Sequence, residues 1–87
     1  MITIKIKDKL TDSLEYNSSA TVFLDELSEL YDDEIKVDFT GVTFISRSFA
    51  QEYYGKKLTI KKDIEDINVP EEVQVMFDIV KKGLSKK

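Results

Sequence analysis

Between Ile2 and Phe39 the hydrophobic period changes twice, and that succession limits the fold more than any other feature of the chain. Ile2, Ile4 and Ile6 alternate with Thr3, Lys5 and Lys7, the period-two pattern of a half-buried strand. Lysines on its outer face discourage edge-to-edge pairing with another molecule. The period then lengthens. Ala20, Phe23, Leu24, Leu27, Leu30 and Tyr31 fall on one helical stripe, while Asp25, Glu26, Ser28 and Glu29 face away. Asn17, Ser18 and Ser19 are the candidate caps of this helix, which is expected to run to about Asp33. Asp32, Asp33 and Glu34 oppose the macrodipole at its end, so the end should fray or turn early. Ile35-Lys-Val-Asp-Phe39 alternates again, as a central strand. Strand, helix and strand in that order join as a parallel pair through a right-handed crossover.

The alternation continues along the rest of the chain. The stretch from Asp8 to Asn17 holds a turn and a short second strand around Leu14 to Tyr16. Gly41 allows a bend after Phe39, and Val42, Phe44 and Ile45 return to the core. A short helix is expected from Ser46, packed through Phe49, Ala50, Tyr53 and Tyr54 and stopped by Gly55. Leu58-Thr-Ile-Lys-Lys62 reads as another strand with Leu58 and Ile60 inward, and Asp63 to Asn68 as a polar connection. Pro70, at the first helical position, opens a last helix with Glu71 and Glu72 at its positive end. Val69, Val73, Met76, Phe77, Val80 and Leu84 follow at 3.6-residue spacing. Lys81 and Lys82 suit its C-terminus, and Gly83 begins to unwind it. The expected class is α/β: a small mixed, partly parallel sheet of about four strands with helices mainly on one face. No repeat, linker or low-complexity stretch interrupts it, so residues 1–87 read as one domain.

Composition narrows the function. A hydrophobic fraction of 41%, with five Phe and four Tyr, supplies one core in a domain that buries roughly 60–65% of its unfolded surface. The net charge of −4 argues against nucleic acid, whose phosphates need concentrated Lys and Arg. Lys81, Lys82, Lys86 and Lys87 read as a solvated tail. The absence of cysteine removes disulfide and thiolate chemistry and fits a reducing cytoplasm. With no apolar run near 18 residues and no signal-like start, neither a membrane span nor an export signal is expected. Without His or Cys, the commonest general base, the thiol nucleophile and the usual zinc ligands are missing. The glycines at 41, 55 and 83 form no phosphate-cradling loop. Neither cofactor nor metal is expected. Asp32, Asp33 and Glu34 offer oxygen ligands to a hard cation, but they lack the spacing and glycine of an EF-hand and read as a solvated helix end. A hydrolase would have only those carboxylates behind it.

One stretch carries chemistry outside the core. Ser46-Arg47-Ser48 brackets the chain's one arginine with two serines. Ser46 as an N-cap explains its own identity, and Ser48 with Gln51 forms a second candidate cap, a Ser-x-x-Gln box. A serine at a helix start also takes a phosphate that the dipole and free N–H groups stabilise. Arg47 beside it would pair with the added charge, and arginine is favoured at interface hot spots. Plain capping, partner contact and phosphorylation all stay open from the residues alone. Glu52 projects near the same surface. Asp38, pointing away from the Val37 and Phe39 face, and Gly41 read as structural residues near the site. Tyr53 and Tyr54 read as core and rim.

The same residues carry a resemblance. Val37-Asp-Phe-Thr-Gly-Val42, then Phe44-Ile-Ser-Arg-Ser-Phe-Ala50 and Glu52, resemble the STAS-like family of unknown function. That family has a strand ending in Val-x-Asp-Phe-x-Gly-Val, then a Ser-Phe-Ala helix start with an acid shortly after. Asn68-Val-Pro-Glu-Glu-Val73, with Met76 beyond, looks like the start of the family's final helix. The likeness covers about residues 35–80, and the first 30 residues match in overall pattern alone. More distantly, the region is similar to STAS domains of the anti-sigma factor antagonist type. Those place Asp-Ser-Ser-Gly at this junction, and a kinase-like anti-sigma factor phosphorylates the second serine. Laid over this chain the four positions are Ser46, Arg47, Ser48 and Phe49. Ser48 thus stands at the phosphoacceptor, while the Asp and Gly are absent. The resemblance implies a non-catalytic, cytoplasmic regulatory module that binds a protein partner, a histidine-kinase-like ATPase, through residues 46–52 under control of serine phosphorylation. The alternative is a small-ligand sensor that takes a nucleotide or anion at the same helix N-terminus.

Overall fold

The computed structural model describes residues 1–85. The inward packing expected of Leu84 and the basic tail at Lys86 and Lys87 lie outside the described residues and side chains. The elements follow in the order β1 (Ile2–Lys5), α1 (Ile6–Lys9), β2 (Ser13–Leu14), α2 (Asn17–Ser28), β3 (Glu34–Asp38), β4 (Phe44–Ile45), α3 (Arg47–Thr59), β5 (Asp63–Ile67) and α4 (Glu71–Ser85). β3 is the centre of a three-stranded sheet, with β1 on one side and β5 on the other, both parallel to it. β2 and β4 form a second, two-stranded parallel sheet. The fold is a small α/β with parallel strand pairs, as the alternation of periods requires.

Register explains the layers. Ile2, Ile35 and Ile64 lie side by side across the main sheet, and so do Ile4, Val37 and Asp66. These rows face the helices, and α3 packs between α2 and α4. The opposite rows run Thr3, Lys36, Glu65 and Lys5, Asp38, Ile67. Thr3, Lys5 and Glu65 are exposed there, so the helices are confined to one face. The core centres on Phe39, Phe49, Tyr53 and Phe77, all buried. Phe39 meets Tyr53 and Phe77 edge-on at 5.8 and 5.6 Å, and Tyr53 stacks on Phe77 at 5.7 Å between centroids. Each such pair adds about 0.5–1.5 kcal/mol beyond the burial of its area.

Several boundaries differ from the sequence expectation, each for a local reason. Ile6 does not extend β1 but opens the single turn of α1, where it is buried. The second strand covers Ser13–Leu14 rather than Leu14 to Tyr16. α2 is preceded by Tyr16 with no side-chain cap, and Asn17, Ser18 and Ser19 lie inside the helix or its first turn. It ends at Ser28, not near Asp33, and Tyr31 is fully exposed. The early end accords with the acids that follow, and Lys62 ties down the loop beyond it by donating to Leu30 O and, at 2.9 Å, to Asp32 O.

The larger correction concerns residues 55–68. Gly55 does not stop α3, which runs to Thr59 and leaves Leu58 on its exposed side. The expected strand at 58–62 is therefore absent, and the segment read as a polar connection is β5. Its pattern is disguised because the inward position after Ile64 is Asp66, an acid held by Tyr53 and Lys57. Gly83 likewise does not unwind α4. Phe44 and Ile45 are neighbours in β4 and must point to opposite sides. Ile45 is buried, while Phe44 is 50% exposed rather than in the core.

Candidate functional site

The start of α3 is tied to β2 through one residue. Ser46 adopts an extended conformation before Arg47, and its Oγ accepts from the Phe49 N–H at 3.0 Å. The same hydroxyl donates to the Glu15 carbonyl at 2.7 Å, and the Ser46 N–H donates to the Leu14 carbonyl at 2.8 Å. Ser46 is thus the N-cap and an anchor at once. Ser48 is not a cap. It stands at the second helical position, inside a helix whose side-chain cap is Ser46 through the Phe49 N–H, so the Ser48–Gln51 box does not form.

Arg47 and Ser48 are both exposed. Neither makes a side-chain hydrogen bond or ion pair among the described residues. Tyr16, next to Glu15, is 70% exposed, and Phe44, two residues before Ser46, is 50% exposed. A recess of about 220 Å³ lined by Leu10, Leu14, Tyr16 and Phe49 opens on the Tyr16 side. Another of about 250 Å³, with Ile45, Val73 and Met76 in its wall, opens beside Phe44. A cation, a hydroxyl and two aromatic rings are therefore exposed on and beside β4, α2 and α3.

Glu52 lies one helical turn beyond Ser48, but its Oε2 accepts from the Thr21 hydroxyl at 2.7 Å, which joins α3 to α2. Asp38 lies apart from the α3 start on the uncovered face of the sheet. Its Oδ1 accepts from the Thr40 N–H at 2.9 Å, the Thr40 hydroxyl at 2.6 Å and the Asn68 amide at 3.2 Å. The Thr40 side chain and backbone, with Asn68 and the nearby Lys5 charge, hold the Asp38 carboxyl below the usual carboxylate range. The turn it steadies contains Gly41 at φ +85°, where a Cβ would sit 2.9 Å from the Lys7 side chain.

Sequence reasoning missed a polar group inside the fold. The Tyr53 hydroxyl donates to Asp66 Oδ1 at 2.6 Å, and Lys57 Nζ donates to Asp66 Oδ2 at 2.8 Å. Lys57 also lies over the Tyr53 and Tyr54 rings at 5.6 and 5.7 Å. Burial, then the Asp66 charge and hydrogen bond, push the Tyr53 hydroxyl well above the ordinary tyrosine value. A tyrosine whose proton is held this way positions elements and is a poor proton donor. Its signal in the sequence was the four-residue spacing of Tyr53 and Lys57 on one helical face. Among the described residues no group of three His, Cys, Asp or Glu is placed to hold a metal ion, so Asp32, Asp33 and Glu34 do not converge. Asp32 instead pairs with the terminal ammonium of Met1 at 3.3 Å.

Among the described residues no helix is long and apolar enough to cross a membrane. No family model, curated protein or solved structure matches the chain.

Proposed function

We propose that the chain is a non-catalytic, cytoplasmic protein-interaction module of STAS-like type that docks a partner through the start of α3. One observation carries this reading: Ser46 supplies the side-chain cap, while Arg47 and Ser48 stand exposed with no side-chain hydrogen bond or ion pair among the described residues. They come soon after the exposed Phe44, and the exposed Tyr16 follows the Glu15 carbonyl that Ser46 holds. Arginine and aromatic side chains on a rigid frame are the residues that dominate interface energetics. Ser48 points into solvent and is accessible to a kinase. A phosphate there adds about −1.5 to −2 charges at pH 7 beside Arg47. That charge repels an acidic partner and withdraws Arg47 into a local pair. The partner that the sequence resemblance suggests is a histidine-kinase-like ATPase. The reading of the junction as a nucleotide or anion sensor has less behind it, since Ser46 already holds the Phe49 N–H and Arg47 is the one cation in the motif.

The test is affinity capture with wild type, Ser48→Asp and Phe44→Asp as baits, followed by ATP-binding assays on what is retained. The expected result is one ATP-binding protein held by wild type and lost with both variants. Equal retention by all three baits, or no saturable partner for wild type, overturns the proposal.

A further inference from the structure

The main sheet ends in two free edges of opposite charge, at a distance from the start of α3. Register fixes which main-chain groups are unpaired. The Asp63 N–H donates to the Asp33 carbonyl and the Phe39 N–H to the Ile67 carbonyl, so Asp63, Glu65 and Ile67 turn their N–H and C=O toward β3. Ile64 and Asp66 therefore turn theirs outward. By the same alternation, Ile2 and Ile4 bond to β3, and the N–H and C=O of Thr3 and the N–H of Lys5 face outward from β1, the Lys5 C=O being taken by the first turn of α1. Each edge presents a template for another strand.

The side chains along the two edges are complementary. β5 carries Asp63 and Glu65, both exposed and without an ion pair among the described residues. β1 carries Lys5, exposed on the uncovered face of the sheet; Lys7 and Lys9 follow in α1, with Lys7 against Gly41. Beside β5, between α3 and α4, lies a cleft of about 380 Å³ whose wall includes Ile64, Phe77, Tyr54 and Lys57. A strand added at β5 would place its helix-side residues over that cleft. In β1 those residues are Ile2 and Ile4, which are only half-buried within their own molecule.

We infer that the free edge of β5 accepts β1 of a second copy of this chain, so that the parallel sheet continues from molecule to molecule. Lys5, which repels a second β1, meets the Asp63 and Glu65 carboxylates at β5. Because the two edges differ, the contact is head-to-tail and leaves a free edge at either end. Growth is then open, and its charge pairing weakens with salt.

Light scattering on the full chain, from dilute to near-millimolar concentration, tests this. The expected mass rises above the 10.0 kDa monomer at low salt and falls back at high salt. Thr3→Pro removes an outward N–H without touching the β3 ladder and holds the chain at monomer mass. Glu65→Lys, at an exposed position, does the same if the proline variant fails to fold. Lys5→Glu combined with Glu65→Lys restores growth. A wild type that stays monomeric throughout overturns the inference, as does growth that Glu65→Lys leaves unchanged. A monomeric chain whose β5 edge binds a basic extended peptide also overturns it, by giving the edge a different occupant.

Discussion

At the scale of single residues, most of the specificity of this fold lies where a polar atom meets the core. Asp66 faces inward beside Val37 and is held by Tyr53 and Lys57. Removing one partner leaves the carboxylate short of a hydrogen bond, so Tyr53→Phe should destabilise by about 1–3 kcal/mol in urea denaturation. The same substitution has a pH signature. The folded hydroxyl titrates above the unfolded one, so its stabilisation is full below the ordinary tyrosine value and lost as pH climbs past it. Stability of the wild type should fall in alkali more steeply than that of Tyr53→Phe. Asp38 works in the other direction. Its folded carboxyl titrates below the unfolded one, so its stabilisation is present above the usual carboxylate range and lost as pH falls through the folded value. Asp38→Asn should lower stability in the neutral region and leave the acid end less changed, so that the acid limb of a stability profile flattens.

At the scale of elements, glycines and caps separate what was legible from what was not. Gly55 sits mid-helix, and a Cβ added there would meet nothing within 4 Å, so Gly55→Ala should stabilise α3 by about 0.5–1 kcal/mol. Gly41 is the opposite case. Its positive φ and the Lys7 side chain make Gly41→Ala cost about 1–2 kcal/mol in the same assay. Ser46→Ala should cost about 1 kcal/mol for the lost cap, whereas Ser48→Ala should change stability by less than about 0.5 kcal/mol. Hydrophobic period located β1, β3 and α4 because each has apolar residues at every inward position. It failed at 55–68 for two physical reasons. A helix tolerates Gly55 when Tyr53 and Lys57 are anchored on both sides of it, and β5 hides its alternation behind Asp66, whose partners are distant in sequence. The bend at Gly41 and the cap at Ser46 were readable because both rest on local chemistry. The exposure of Phe44 was not, since a two-residue strand offers no period to read.

At the scale of the molecule, one core of buried apolar residues fixes three helices on one face of the sheet and leaves two regions without internal partners. One is the polar and aromatic start of α3. The other is the pair of sheet edges. The proposed function rests on the first, and its central claim is that a partner protein touches the helix at Ser48. Site-specific photocrosslinking measures that contact most directly. A photoreactive residue placed at Ser48 should yield one dominant crosslinked protein, and the same probe at Ser28, at the far end of α2, should not. Crosslinking of the same protein from both positions, or from neither, would contradict the account.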